Sequence, residues 1–151
     1  MKTQLGVYAL IKTRADDKRI KVYRDRALFN VFYTAQTTTQ NDEYFIIQKT
    51  KQDIGYVHLK ETKALRFIVN ELILLSKDTI IESISAILDY LFAVRKADVV
   101  SVQIRDGNKE LDNLLRRLGF YNRAVHIRKT RNSDNKTLIK EMIIEKEHFK
   151  V

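Results

Sequence analysis

A helical pattern flanked by two β-rich runs restricts the fold of this chain more than any other sequence feature. Residues 65–75 and 99–104 are apolar and β-rich. Between them, apolar residues recur at helical spacing, namely Ile80, Ile81, Ile84, Ile87, Leu88, Leu91 and Phe92. Strand, helix and strand in this order predict a crossover connection between two parallel strands of one sheet. We therefore expect an α/β domain whose ligand binds at this crossover.

The segments around the crossover predict further strands that are mostly antiparallel. Residues 43–50 and 54–61 form a hairpin pattern. Residues 108–118 carry an amphipathic helical pattern that stops at Gly119. Residues 120–129 and 138–147 then predict two closing strands. The sequence thus favours an α+β architecture with one mixed sheet and a central β-α-β crossover.

The N-terminal third carries weaker patterns. Residues 5–12 predict a strand. Residues 18–23 predict a second strand that pairs with it across a turn. Residues 26–36 fit a short buried helix or a strand, and residues 37–42 fit a loop. At the central helix, Thr79 and Glu82 have the spacing of a capping box.

Composition excludes several classes of site. The 151 residues suit a single domain, and 44% of them are hydrophobic, enough for a buried core. The absence of cysteine excludes disulfides, thiolate metal sites and cysteine nucleophiles. With four glycines and no proline, a glycine-rich phosphate loop is not expected. The sequence shows no signal-peptide or membrane-span pattern, so we expect a cytoplasmic protein.

The segment from Asp106 to Phe120 resembles a motif of the GNAT superfamily of N-acetyltransferases, N-x-x-A-x-x-L-Y-x-x-L-G-F. Asn108 matches its asparagine, Leu114 matches its first leucine, and residues 118–120 match its closing Leu-Gly-Phe. The element order over residues 43–147 also follows this family. The resemblance implies a GNAT-like fold, single-domain from residue 1 to 151, with helices on both faces of the sheet.

The resemblance also implies acetyl-CoA-dependent acetylation of an amine. In the family, the backbone of the fourth strand holds pantetheine and the start of the central helix receives the pyrophosphate. The matching positions in this chain are Leu72, Ile73, Leu74, Thr79, Ile80, Ile81 and Asn108. Glu71 matches the strand position where many members place the base that deprotonates the amine. The alternative interpretations are that Glu71 is a solvent-exposed or ion-paired residue and that Asn108 is a structural helix cap.

Two departures from the family bear on cofactor binding and on catalysis, respectively. The join between the fourth strand and the central helix, residues 75–81, contains no glycine and no arginine, and Asp78 and Glu82 place carboxylates at the helix start. The family tyrosine that protonates the leaving thiolate is replaced by Leu115, which cannot donate a proton. The three histidines are scattered, and we expect no metal site, although His58 is placed on the strand beside Glu71.

The net charge of +9 suits an anionic partner. An alternative function is therefore a catalytically inactive GNAT-fold module that binds nucleic acid or an acidic protein. Its contacts would come from an acid-free basic run, namely Arg116, Arg117, Arg123, Arg128, Lys129 and Arg131. A solvated basic face and an unrelated α/β fold also remain open.

Overall fold

The predicted crossover lies in the middle of the sheet in the structure, a computed structural model that describes residues 7–26, 29–34, 41–129 and 136–149. The strands are β1 Tyr8–Thr13, β2 Phe29–Asn30, β3 Asn41–Lys49, β4 Gln52–Lys63, β5 Arg66–Leu74, β6 Val99–Arg105, β7 Tyr121–Lys129 and β8 Lys136–Glu145. The helices are α1 Lys18–Asp25, α2 Ile80–Asp89 and α3 Lys109–Leu118.

Within the described residues, seven strands lie in the order β1-β3-β4-β5-β6-β8-β7, and β2 pairs with β5. β5 and β6 are parallel, as the crossover predicts, and all other paired strands are antiparallel. The parallel pairing spans only residues 66–68 of β5 and 99–101 of β6. The two strands therefore separate along the rest of their length and leave a slot in the sheet.

Helices cover both faces of this sheet. One face packs with α2 and α3 in the main core, which includes Leu72, Leu74, Ile84 and Leu115. On the other face, a smaller apolar cluster beneath α1 comprises Ile20, Tyr23, Ile46, Tyr56 and Ile73. Alternate residues of β5 thus point into different cores, as expected for a strand buried on both faces.

The prediction of a strand at residues 18–23 is wrong, because this segment forms α1. The Asp17 carboxylate accepts a hydrogen bond from the Arg19 N–H at 2.8 Å and caps the helix. Ile20 and Tyr23, three residues apart, then bury one side of the helix against the sheet.

The helix prediction for residues 26–36 is also wrong for the described part, residues 29–34, which contains no helix and includes β2. The strand alternative holds for Phe29–Asn30 only, and the rest of that segment apart from Arg26 and residues 31–34 lies outside the described residues. Of the loop predicted at residues 37–42, Asn41 and Asp42 begin β3, and the others lie outside the described residues.

The central helix forms where expected, but the cap at its start differs from the prediction. Ser76 rather than Thr79 provides the side-chain cap, since its hydroxyl accepts from the Asp78 N–H at 3.2 Å. The Thr79 hydroxyl instead donates to the Ser76 carbonyl at 2.9 Å, so the capping box is wrong. After α2, residues 90–94 continue as one π-helical turn.

The helix predicted at residues 108–118 is confirmed with both of its ends. The Leu111 N–H donates to the Asn108 side chain at 3.2 Å, which makes Asn108 the N-cap of α3. Gly119 ends the helix with a φ of 110°, a left-handed conformation that favours glycine.

Candidate functional site

The candidate site is the slot between β5 and β6 together with the helix ends beside it. Because alternate strand residues present their backbone groups to opposite edges, the two sides of β5 have different partners. The Val31 N–H donates to the Leu72 carbonyl at 2.8 Å on the slot side. The Leu75 N–H donates to the Ile54 carbonyl of β4 at 2.9 Å on the other side, and Ile73 shares the orientation of Leu75. Of the three predicted pantetheine-binding residues, Leu72 and Leu74 therefore face the slot with their backbone groups, and Ile73 faces β4.

The starts of α2 and α3 come together at a small pocket. Its volume is about 120 Å³, and it is lined by Lys77, Ile80, Asn108, Glu110, Leu111 and Leu114. The structure thus brings two predicted cofactor-binding residues, Ile80 and Asn108, into one place. Thr79 is buried, and Ile81 is exposed. Asn108 already caps α3 through its side-chain oxygen.

Glu71 belongs to a separate polar cluster on the α1 side of the sheet. The Arg24 guanidinium donates to Glu71 Oε1 at 2.5 Å and to the Tyr56 hydroxyl at 2.8 Å. His58 lies opposite Glu71 on β4, as the sequence indicates, with its Nδ1 3.8 Å from Glu71 Oε1. A bulge in β5 near Asn70 accompanies this pairing.

The cluster lowers the pKa of the Glu71 carboxyl from its ordinary value of 4.5 to about 2. Burial by itself raises the pKa, but the nearby His58 side chain, the hydrogen bonds and charge of Arg24, and the Tyr56 hydroxyl outweigh it. A general base needs a pKa near the working pH. Glu71 meets that requirement only in a conformation in which Arg24 is no longer paired with it.

His58 extends the same cluster towards solvent. Its Nε2 lies 2.9 Å from Asp42 Oδ1, and Tyr44 stacks on its ring with centroids 4.3 Å apart. Its Nδ1 is 3.2 Å from the Asn70 side-chain nitrogen. In the described part of the chain, no group of three or more His, Asp or Glu residues is arranged to hold a metal ion.

The basic run is only partly described. Arg116 pairs with Asp112 at 3.2 Å and Arg123 with Glu141 at 3.7 Å, so carboxylates from nearby segments offset two of its charges. Arg117 is exposed in the last turn of α3. Arg128 and Lys129 are the last two residues of β7. Arg131 lies outside the described residues.

No protein-family model and no curated protein sequence matches the chain. Solved structures match in their fold. One is a spermidine N-acetyltransferase from Vibrio cholerae in complex with CoA and spermine, with a TM-score of 0.74 over 94% of this chain and 97% of that one at 14% identity. A dodecameric form of a spermidine N-acetyltransferase from the same organism has a TM-score of 0.72 over 93% and 95% at 15% identity. The chain has the GNAT fold.

Two features set this GNAT fold apart from the pattern of the family. The tyrosine position is held by Leu115, which is fully buried in the main core. The glycine-free join is a short 3₁₀ turn, Lys77–Thr79, whose Asp78 N–H already bonds the Ser76 hydroxyl. An N–H group that is bonded within the chain is not available to a phosphate.

Sequence reasoning missed Arg24 and the pairing of β2 with β5. Arg24 follows Ile20 by four residues and lies one residue after Tyr23, so a helical interpretation of residues 18–25 would have placed it beside the buried face. The pairing of residues 29–31 with β5 had no comparable local signal, because its partner lies more than 40 residues away along the chain.

Proposed function

We propose that this protein is a GNAT-fold N-acetyltransferase that uses acetyl-CoA and acts on an amine. The observation that carries the proposal is the slot in the sheet, formed where β5 and β6 separate after three residue pairs. Asn108 and the start of α2 line one pocket, and the family resemblance assigns acetyl-CoA to these same elements. The CoA complex of a similar structure supports the same cofactor.

In the conformation described, the residues of the slot do not fit acetyl-CoA. The Leu72 carbonyl is already bonded to Val31. At the helix start, the Asp78 N–H is bonded to Ser76, and Glu82 adds a carboxylate in the first turn. Cofactor binding therefore requires that residues 29–31, which pair with this edge of β5, change their position.

The acceptor is proposed only as an amine. The similar proteins are named for spermidine, and one structure contains spermine. In this chain the Glu71 carboxylate is held by Arg24, so an amine that enters already neutral would react most readily.

We also propose a cytoplasmic location. Within the described residues, no helix is both long enough and apolar enough to cross a membrane.

The test is release of a free thiol from acetyl-CoA in the presence of candidate amines. The chain has no cysteine, so a thiol reagent detects only the released CoA. We expect release that depends on the amine, tested with polyamines, simple alkylamines and peptides with free N-termini. Release no faster than in the protein-free control with every amine would contradict the proposed activity.

A non-catalytic binding module is the second candidate, and the burial of Leu115 at the family's tyrosine position favours it. The charge of +9 would then serve an anionic partner. If that partner is nucleic acid, affinity should fall steeply as salt rises. Replacing Arg117 and Arg123 by Gln should weaken binding equally for all sequences. No binding of DNA or RNA at low salt, measured by fluorescence anisotropy, removes the nucleic-acid form of this candidate.

A further inference from the structure

Residues 29–31 lie along the edge of β5 that faces the slot. Phe29 is opposite Leu74 and Asn30 is opposite Ile73 in an antiparallel register. The Val31 N–H continues this ladder with a 2.8 Å hydrogen bond to the Leu72 carbonyl. The chain therefore adds its own short strand where the family resemblance places pantetheine.

The same segment also reaches the other side of the slot. The Tyr33 N–H donates to the Gln103 carbonyl of β6 at 2.7 Å. Between these anchors, Val31 is 6% exposed and Phe32 is 3% exposed, and both pack in the main core. The segment thus spans the slot from β5 to β6, and its apolar side chains are buried in the main core.

This placement makes the segment and a bound pantetheine arm mutually exclusive. Both would use the outward-facing backbone groups of Leu72 and Leu74, and a strand edge accommodates one neighbour at a time. Phe32 would also have to leave the main core before another group could enter the space that it fills.

We propose that residues 29–33, which include β2, are an autoinhibitory segment that closes the acyl-CoA slot. Acyl-CoA binds only when this strand leaves β5, and its apparent affinity is reduced by the fraction of molecules in which the slot is open. The inference rests on the proposed function, because it assumes that the slot takes an acyl-CoA.

The strand register allows a reversible disulfide cross-link between residues 30 and 73, which tests this proposal. The bond from Val31 to Leu72 makes Asn30 and Ile73 a non-hydrogen-bonded pair. The Cα atoms of such pairs lie about 4.5 Å apart, within the range of a disulfide. The double variant Asn30→Cys/Ile73→Cys forms this bond without competition, because the natural chain has no cysteine. The single variant Asn30→Cys is the matched control, since it has no partner within the chain.

The measurement is calorimetric titration with acetyl-CoA of the double variant, first oxidised and then reduced. We expect the oxidised form to bind about a hundredfold more weakly than the reduced form, or not at all, and the single variant to be insensitive to the reductant. Equal binding by the oxidised and reduced forms overturns the inference and leaves the proposed function intact. Absence of binding in every form, the unmodified protein included, overturns the proposed function and this inference with it.

Amide hydrogen exchange of the unmodified protein gives a second readout that needs no variant. The Val31 and Tyr33 amides should be protected in the free protein and lose protection when acetyl-CoA is saturating. Retained protection at both amides in the acetyl-CoA complex would overturn the inference, because the strand would then remain in the slot while the cofactor is bound.

Discussion

The ion pair between Arg24 and Glu71 should make stability depend on pH in a defined window. Glu71 has a pKa of about 2 in the folded chain and an ordinary value of 4.5, and its side chain is 14% exposed. A carboxyl with a lowered folded pKa stabilises the fold above its unfolded pKa and loses that stabilisation as pH falls through the folded pKa. At 1.36 kcal/mol per unit, the contribution is about 3 kcal/mol, lost between roughly pH 5 and pH 2.

The assay is urea unfolding at several pH values, comparing the natural chain with Glu71→Gln. At pH 7 the variant should be less stable, because Arg24 loses its charged partner. As pH falls from 5 to 2, the difference between the two proteins should shrink by about 3 kcal/mol. Glu147→Gln, which alters an exposed carboxylate, is the control and should follow the natural chain closely. A constant difference across that pH range would refute the assignment of the lowered pKa to Glu71.

Three further predictions test local features of the fold by thermal or urea unfolding. Gly119→Ala should destabilise the fold more than Gly107→Ala. Both positions have positive φ, so the backbone strain is common to both. A Cβ at Gly119 would in addition lie 2.8 Å from the His148 carbonyl oxygen, whereas a Cβ at Gly107 meets nothing within 4 Å. Equal losses would show that the contact has no effect. Asn108→Ala should lower the free energy of unfolding by about 1 kcal/mol through loss of the cap, and Asn108→Asp should restore most of it. Leu115→Tyr should destabilise by about 1–3 kcal/mol, since the position is fully buried; an unchanged melting temperature would show that the core has room for a tyrosine.

The central part of the fold could be predicted because its signals are long or local. The helical pattern that begins at Ile80 extends over several turns, and the flanking β-rich runs restrict it to a parallel crossover. The cap at Asn108 and the stop at Gly119 depend on neighbouring residues only, and the structure has both. The structure also places His58 opposite Glu71, on the neighbouring strand where it was expected.

The rest depends on contacts between residues far apart in sequence. A helix of eight residues such as α1 is stabilised mainly by packing against the sheet, so its own pattern is weak. The extended path of residues 29–33 is fixed by acceptors on β5 and β6, at Leu72 and Gln103. The lowered pKa of Glu71 likewise depends on Arg24, which is 47 residues distant. These three features determine the arrangement of the candidate site, and each depends on contacts with residues distant in the sequence.

Calorimetric titration of the unmodified protein with acetyl-CoA, paired with a thermal melt of the same samples, tests the central claim most directly. A ligand that binds the folded chain and not the unfolded chain must raise the melting temperature. We predict saturable binding of one acetyl-CoA per chain and a melting temperature that rises with ligand concentration. No heat of binding and an unchanged melting temperature at millimolar acetyl-CoA would contradict the assignment of an acetyltransferase site to the slot between β5 and β6.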